Sequence, residues 1–303
     1  MPAQRFSRVK VTPAIAQKWL KEKNYADNRP ISKSWVDYLA RQMEKGLWQE
    51  NGEPLIFDLD DQLLDGQHRL AAIVKSGITI TFDIRRGVAT ESFTTIDQGR
   101  GRTAGQVFGM LGIKNSRAAA SVCRLVYNWE TTGAPFVGRR ISPDEINLVW
   151  EVYEQEITSA LEMAIPLKKS VPAPASILGF CAFLFAKASK KKASAFFATL
   201  GGGVAEDARD PALVLRNRLF REAVANSRRS LPKKAMFGLI IRGWNAYHKG
   251  DKVRQLQIKP DGDGGFKIPI IRGLGRSQGN KGGPTAKARG NKPAIHVSAK
   301  KPK

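Results

Sequence analysis

The chain has 303 residues, 42% of them hydrophobic, and a formal net charge of +23 at pH 7. That apolar share excludes wholesale disorder, and the length suits two compact domains, or one with a large extension. Two cysteines, Cys123 and Cys181, without paired spacing exclude a disulfide framework or a cysteine zinc site, so a reducing, cytoplasmic setting is expected.

The elements read as follows in chain order. The first ten residues hold Arg5, Arg8 and Lys10 and no apolar run, so they are not read as a secretory signal. Phe6 to Val11 reads as a strand. Thr12-Pro13 has the residues of an N-cap and a first helical position, opening a helix to about Lys23. Asn24 to Pro30 is a loop. Ser32 opens a helix to about Gly46, with Trp35, Leu39 and Met43 one turn apart on one face. Pro54 to Phe57 and Leu63-Leu64 are short strands around a turn at 58–62. A helix begins at Gly66 and runs to about Ser76, with Gly77 placed as its C-terminal glycine. Ile78 to Ile84 alternates apolar and polar like a half-buried strand, and a helix over 90–96 follows. From Thr103 the pattern is helical: 103–111, 116–131, 142–154, 156–165, 174–189, 191–200, 211–226 and 231–248. Leu200 to Val204, with three glycines, reads as a loop. Ile258 to Pro269 reads as a hairpin. Beyond about Gly273 large apolar residues nearly vanish and a disordered basic tail is expected.

The fold class is therefore α+β: an N-terminal α+β domain over 1–102, a helical basic domain over 103–250, a hairpin extension over 251–272 and a tail over 273–303. The longest apolar run, about Ile177 to Ala186, is too short to span a bilayer and reads as a buried helix, so no membrane partner is expected.

Charge is distributed unevenly. Residues 1–100 carry 15 Lys/Arg against 13 Asp/Glu, residues 101–271 carry 26 against 14, and residues 272–303 carry 9 against none. A basic surface attracts polyanions through counterion release, so DNA is the expected partner of the downstream part. Its densest stripe is Arg216, Arg218, Arg221, Arg228, Arg229, Lys233 and Lys234, suited to backbone contact without sequence reading. Thr103 to Val126 has the layout of a helix-turn-helix with Gly112 at the turn, but Ala118, Ala119 and Ala120 offer little base readout, and a packed bundle element fits the same pattern.

The most informative segment is Leu63-Leu64-Asp65-Gly66-Gln67-His68-Arg69-Leu70. A strand ends, a glycine turns the chain and a helix begins, so free amides and the positive end of the helix dipole face any anion there. Arg69 has the fork geometry for phosphate. His68 can donate a hydrogen bond or move a proton, and Asp65 can hold a metal ion or accept a proton. Glu53 is a further candidate acid or base, and Arg29 a further phosphate ligand. Asp97-Gln98-Gly99-Arg100-Gly101-Arg102-Thr103 is either a second phosphate clamp, led by Arg102 and Thr103, or a solvated linker. Spacing alone leaves an ordinary strand–helix turn equally open.

The segment from Asp65 to Arg69 resembles the signature of the ParB/sulfiredoxin superfamily. The blocks Asn28-Arg29-Pro30-Ile31-Ser32, Gly46-Leu47-Trp48, Gly52-Glu53-Pro54 and Arg242-Gly243-Trp244-Asn245-Ala246-Tyr247 are similar to ParB-like proteins of actinobacteria and their phages. The resemblance implies a ParB/sulfiredoxin-like N-terminal domain binding nucleotide phosphates through Gly66, Gln67, His68 and Arg69, with ATP or CTP and Mg²⁺ as cofactors, in a DNA-associated protein with NTPase or nuclease activity. Gln67 stands where sulfiredoxins need a cysteine, which excludes sulfinic-acid repair. Ala71 and Ala72 stand where chromosome-partitioning members carry arginine. ParB-fold kinases of free serine share Asp65-Gly66 and His68-Arg69, implying as an alternative an ATP-dependent small-molecule or nucleotide phosphotransferase; a domain that keeps the fold without catalysis, a DNA-bound scaffold, is a further alternative.

Overall fold

The computed structural model describes residues 5–96, 102–225, 231–257 and 266–274. The chain divides into two compact units, one within residues 1–100 and one spanning Gly101–Gly283. The fold class is α+β.

The first unit is a four-stranded mixed sheet covered by helices. β1 (Arg5–Val11), β2 (Leu55–Asp58), β3 (Leu63–Asp65) and β4 (Ile80–Val88) lie in the order β1-β4-β2-β3. β4 pairs antiparallel with β1 (Val9 opposite Phe82) and parallel with β2 (Leu55 opposite Ile84). β2 and β3 form a short antiparallel pair with an irregularity between Ile56 and Phe57. Helices α1 (Pro13–Glu22), α2 (Lys33–Glu44) and α3 (Gln67–Ser76) complete the core. Leu55, Phe57, Leu63, Phe82 and Ile84 of the sheet bury against Ala16, Leu39, Met43, Leu70 and Ile73 of the helices. Thr12 caps α1, accepting from Ile15 N–H at 3.3 Å.

Two boundaries differ from the sequence pattern. β4 starts two residues later and runs four further, through Arg85, Arg86 and Gly87, where apolar alternation has ended. Ladder pairing with β1 and β2 carries it on, and the basic side chains find aromatic faces: Arg86 lies 4.2 Å from the Phe57 ring centre and also pairs with Asp61. The helix expected over 90–96 is a 3₁₀ segment, Thr90–Thr95.

Trp19, Trp35 and Trp48 pack rather than project. Trp19 meets Phe57 edge-on at 5.3 Å, Trp35 stacks on Tyr38 at 4.7 Å, and Trp48 meets Phe82 at 5.8 Å.

The described part of the second unit is helical: α4 (Ala104–Met110), α5 (Ser116–Thr132), α6 (Pro143–Ala164), α7 (Ala175–Gly202), α8 (Pro211–Ala225) and α9 (Lys233–Lys249). α6 bends at Tyr153 and α7 at Ser189, both with non-helical backbone angles, and these bends stand where two separate helices were expected. Ile177 to Phe185 is buried without interruption, so this run is a core helix. No described helix is long and apolar enough to cross a membrane. Trp244 of α9 stacks on Phe185 at 4.4 Å and meets Phe196 edge-on at 5.8 Å, joining both halves of α7 to α9.

The loop expected at 200–204 is a helix end. α7 continues to Gly202, and Gly203 closes it at φ 71°. Arg216 reaches from α8 to donate to the Leu200 and Gly201 carbonyls at 2.7 and 2.8 Å, so the last turn keeps its acceptors satisfied despite its glycines. Of the expected hairpin, only residues 266–269 are described. Residues 270–272 strap onto α9: the Ile270 carbonyl accepts from Asn245 and the Arg272 carbonyl from Trp244.

The Ser142 start of α6 is a complete capping box. Ser142 Oγ accepts from Glu145 N–H at 2.9 Å, Glu145 returns the bond at 3.1 Å, and its other oxygen accepts from Tyr127 at 2.5 Å. Both residues are buried. Ser142→Ala is expected to lower stability by about 1–2 kcal/mol, read as a lower urea midpoint at unchanged slope.

Candidate functional site

The strand–helix junction of the first unit forms as its residues demand. β3 ends at Asp65, and Gly66 turns the chain at φ 112°, ψ 2°. A side chain at Gly66 would be strained by that backbone angle, and a Cβ there would lie 2.2 Å from Leu55 Cδ2. The first intrahelical bond of α3 runs from Leu70 N–H to the Gly66 carbonyl. The amides of Gln67, His68 and Arg69 precede it, and among the described residues no side chain caps them.

The three side chains that follow are buried and turned to the protein. Arg69 donates to the Glu53 carbonyl at 2.7 Å, the Pro54 carbonyl at 2.9 Å and Asp65 Oδ2 at 2.6 Å, and it lies 5.7 Å from the Phe82 ring centre. This places Arg69 as a clamp on the strand entering β2, where the sequence suggested a bare phosphate fork. Gln67 donates to the Arg29 carbonyl at 2.7 Å and accepts from Asn24 at 3.4 Å. Asn28 donates to Asn24 Oδ1 and to the Leu63 carbonyl. The loop over 24–32 is thereby buttoned to the start of α3.

His68 Nε2 accepts from Ser32 N–H at 3.0 Å. An accepting nitrogen carries no proton, so the ring is neutral with its proton on Nδ1. Burial is the main cause of a pKa below the ordinary 6.5. The charge of Arg29 adds to the lowering, and Asp65 opposes it.

The remaining candidates divide by exposure. Asp65 is half-buried, and Glu53 and Arg29 are exposed. Among the described residues no cluster of three His, Cys, Asp or Glu side chains could hold a metal ion. A magnesium ion carried in by a nucleotide needs less, one carboxylate plus phosphate oxygens, and Asp65 is of the right type for that.

In the second unit, Thr103 caps α4 in a capping box with Gln106, which gives it a structural task. Arg102 is exposed. Residues 97–101 lie outside the described residues, as do Arg228 and Arg229. Of the DNA candidates, Arg216 is turned inward to the end of α7, and Arg218 pairs with Glu222 at 2.5 Å. Arg221, Lys233 and Lys234 are exposed. Gly112 makes the α4–α5 turn at φ 74°. Ala119 and Ala120 are buried, so that side of α5 packs in the core, while Arg117, Ser121 and Arg124 are exposed. Both cysteines are buried, with Cys123 pushed up to about 12 and Cys181 also raised, so neither is a ready nucleophile.

Sequence reasoning missed Asn24 as a site-shaping residue and Asp58 as the organiser of the β2–β3 turn. Asp58 accepts from Asp60 N–H, Gln62 N–H and Thr90 Oγ1. An aspartate that accepts from an amide two residues on is a common turn device, so its type and place were readable. The role of Asn24 depends on a partner 43 residues away.

No protein-family model, curated protein or solved structure matches the chain.

Two outcomes follow. Arg69→Ala leaves Asp65 and two carbonyls without their donor and is expected to cost about 2–4 kcal/mol, measured by denaturant unfolding. Protonating His68 turns its acceptor into a donor facing Ser32 N–H. Because its folded pKa lies below the unfolded value, the unfolded chain takes up the proton first as pH falls. The contribution is intact above about pH 6.5 and is lost below it, down to the lowered folded pKa. The wild type should therefore lose stability from pH 7 to 5 more steeply than His68→Gln, in urea titrations at each pH.

Proposed function

We propose that this chain is a nucleotide-binding, DNA-associated protein of the ParB/sulfiredoxin type. The observation that supports it most is the start of α3: uncapped amides after a glycine that has no room for a side chain, at the end of a strand. Anions settle at such helix starts because unpaired N–H groups and the dipole point the same way. The clamp of Arg69 and the buttons of Gln67 and His68 hold that turn rigid, so its amides are oriented before any ligand arrives. The residues fit a nucleoside triphosphate with Mg²⁺: Gly66 to Arg69 for the phosphates, Asp65 for the metal, Arg29 for charge at the rim. The ion would supply phosphate charge neutralisation. The domain's small charge balance contrasts with the excess downstream, which supports DNA contact by the exposed cations of the helical unit, Arg221, Lys233 and Lys234 among them. The alternative of phosphotransfer would draw on Asp65 and Glu53, since His68 Nε2 is already taken by Ser32.

The test is amide NMR of the full chain, titrated with ATP, CTP and GTP plus Mg²⁺ and, separately, with duplex DNA. One nucleotide should shift the amides of Gln67, His68 and Arg69, and DNA should shift those around Arg221 and Lys233. Saturating nucleotide at low salt without movement at 67–69 would overturn the phosphate reading.

A further inference from the structure

A second groove lies wholly within the helical unit. It has a volume of about 520 Å³ and runs between the start of α4, the polar face of α5, the chain at 135–137 and Lys233 at the start of α9. Arg117, Ser121, Arg124 and Asn128 sit at positions i, i+4, i+7 and i+11 of α5, which places them along one face. Gly105 allows α4 to come close: a Cβ there would stand 3.3 Å from the Arg117 backbone.

Three features of this groove point to a ligand. Arg117, Arg124 and Lys233 all line it and are exposed, and among the described residues none of their side chains makes an ion pair or hydrogen bond. Three cations around one concavity concentrate positive potential there. Phe136 and Ile177 supply an apolar wall. The third feature is Asn128, only 2% exposed. Its Nδ2 donates to the Pro135 carbonyl at 3.1 Å, and since a carbonyl can only accept, that bond fixes which end of the amide is which. Its Oδ1 is then an acceptor sealed from solvent, with no donor among the described residues. Such an atom costs free energy unless a donor reaches it.

We infer that this groove binds a nucleotide, with its phosphates held by Arg117, Arg124 and Lys233, its base against Phe136, and an N–H of the base reaching Asn128 Oδ1 as the groove wall yields to it. Multiple phosphate charges match three unpaired cations, a planar ring matches the apolar wall, and an amino or ring N–H matches the lone acceptor. The volume lies in the range of small-ligand sites. The ligand chemistry is shared by a free nucleotide and by one unit of a nucleic-acid strand. This site is separate from the start of α3 and stands whether or not that turn binds phosphate.

The experiment uses the full chain. ATP, purine riboside triphosphate (which lacks the 6-amino group) and a short labelled single-stranded DNA are titrated into wild type and into an Arg117→Gln/Arg124→Gln double variant. Both arginines are exposed and unpaired, so the variant should keep the wild-type melting temperature. Amide shifts at 117–128 locate the binding and separate it from events at 67–69. The expected result is binding at α5 that the double variant weakens at least about tenfold, and weaker binding of the purine analogue, also by about tenfold. If only the DNA behaves this way, the ligand is a strand and the site stands. Equal binding of ATP and its analogue would overturn the role of Asn128. Absence of shifts at 117–128 with every probe, or binding untouched by the double variant, would overturn the site.

Discussion

One buried guanidinium organises the first unit. Arg69 rises from the first turn of α3 and ties three separate pieces of the sheet: the Glu53 and Pro54 carbonyls ahead of β2, Asp65 at the end of β3, and the Phe82 face on β4. A planar, permanently charged fork can satisfy two carbonyls and a carboxylate at once, where a lysine could not hold the same geometry. Because these acceptors are partly shielded from water, each bond is worth more than at the surface, and leaving any of them unpaired costs correspondingly. The turn at Gly66 lies between Asp65 and Arg69, which that anchor joins, while Gln67, His68 and Asn28 dock the loop over 24–32.

The helical unit is stabilised differently, by apolar contact along a central helix. α7 buries its first nine core residues all round, and Phe180, Phe185, Phe196, Phe237 and Trp244 connect it to α9. Polar groups inside are few and mostly paired, as with Tyr127, Glu145 and Ser142. Among the described residues of this unit the exceptions are Asn128 Oδ1 and the Nε atoms of Arg139 and Arg218, and of these only Asn128 lines the groove beside α5.

Charge distinguishes the two units. The first is close to neutral, so any attraction it has for phosphate is local and geometric. The second carries a large positive excess, and among the described residues several of its cations, Arg117, Arg124 and Lys233 included, have no carboxylate partner, which favours long-range attraction of a polyanion. Structure also withdraws some cations from that role: Arg216 closes the end of α7, and Arg218 pairs with Glu222.

Much of the local structure was legible in the sequence, because it is set by neighbours in the chain. Ser142-Pro143-Asp144-Glu145 starts a helix, Gly66 and Gly77 stand at helix ends with positive φ, and the breaks near Tyr153 and Ser189 show in the apolar pattern. The strand–glycine–helix junction could be located in the same way. What tertiary structure decided is where the polar side chains point. Nothing local tells that Arg69 faces carbonyls 15 and 16 residues upstream, that His68 accepts from Ser32, that Arg216 serves another helix, or that Asn128 leaves an oxygen unpaired at the wall of a groove. Backbone conformation follows from short-range sterics and propensity, whereas the fate of a polar group depends on which distant donors and acceptors folding brings within about 3 Å of it.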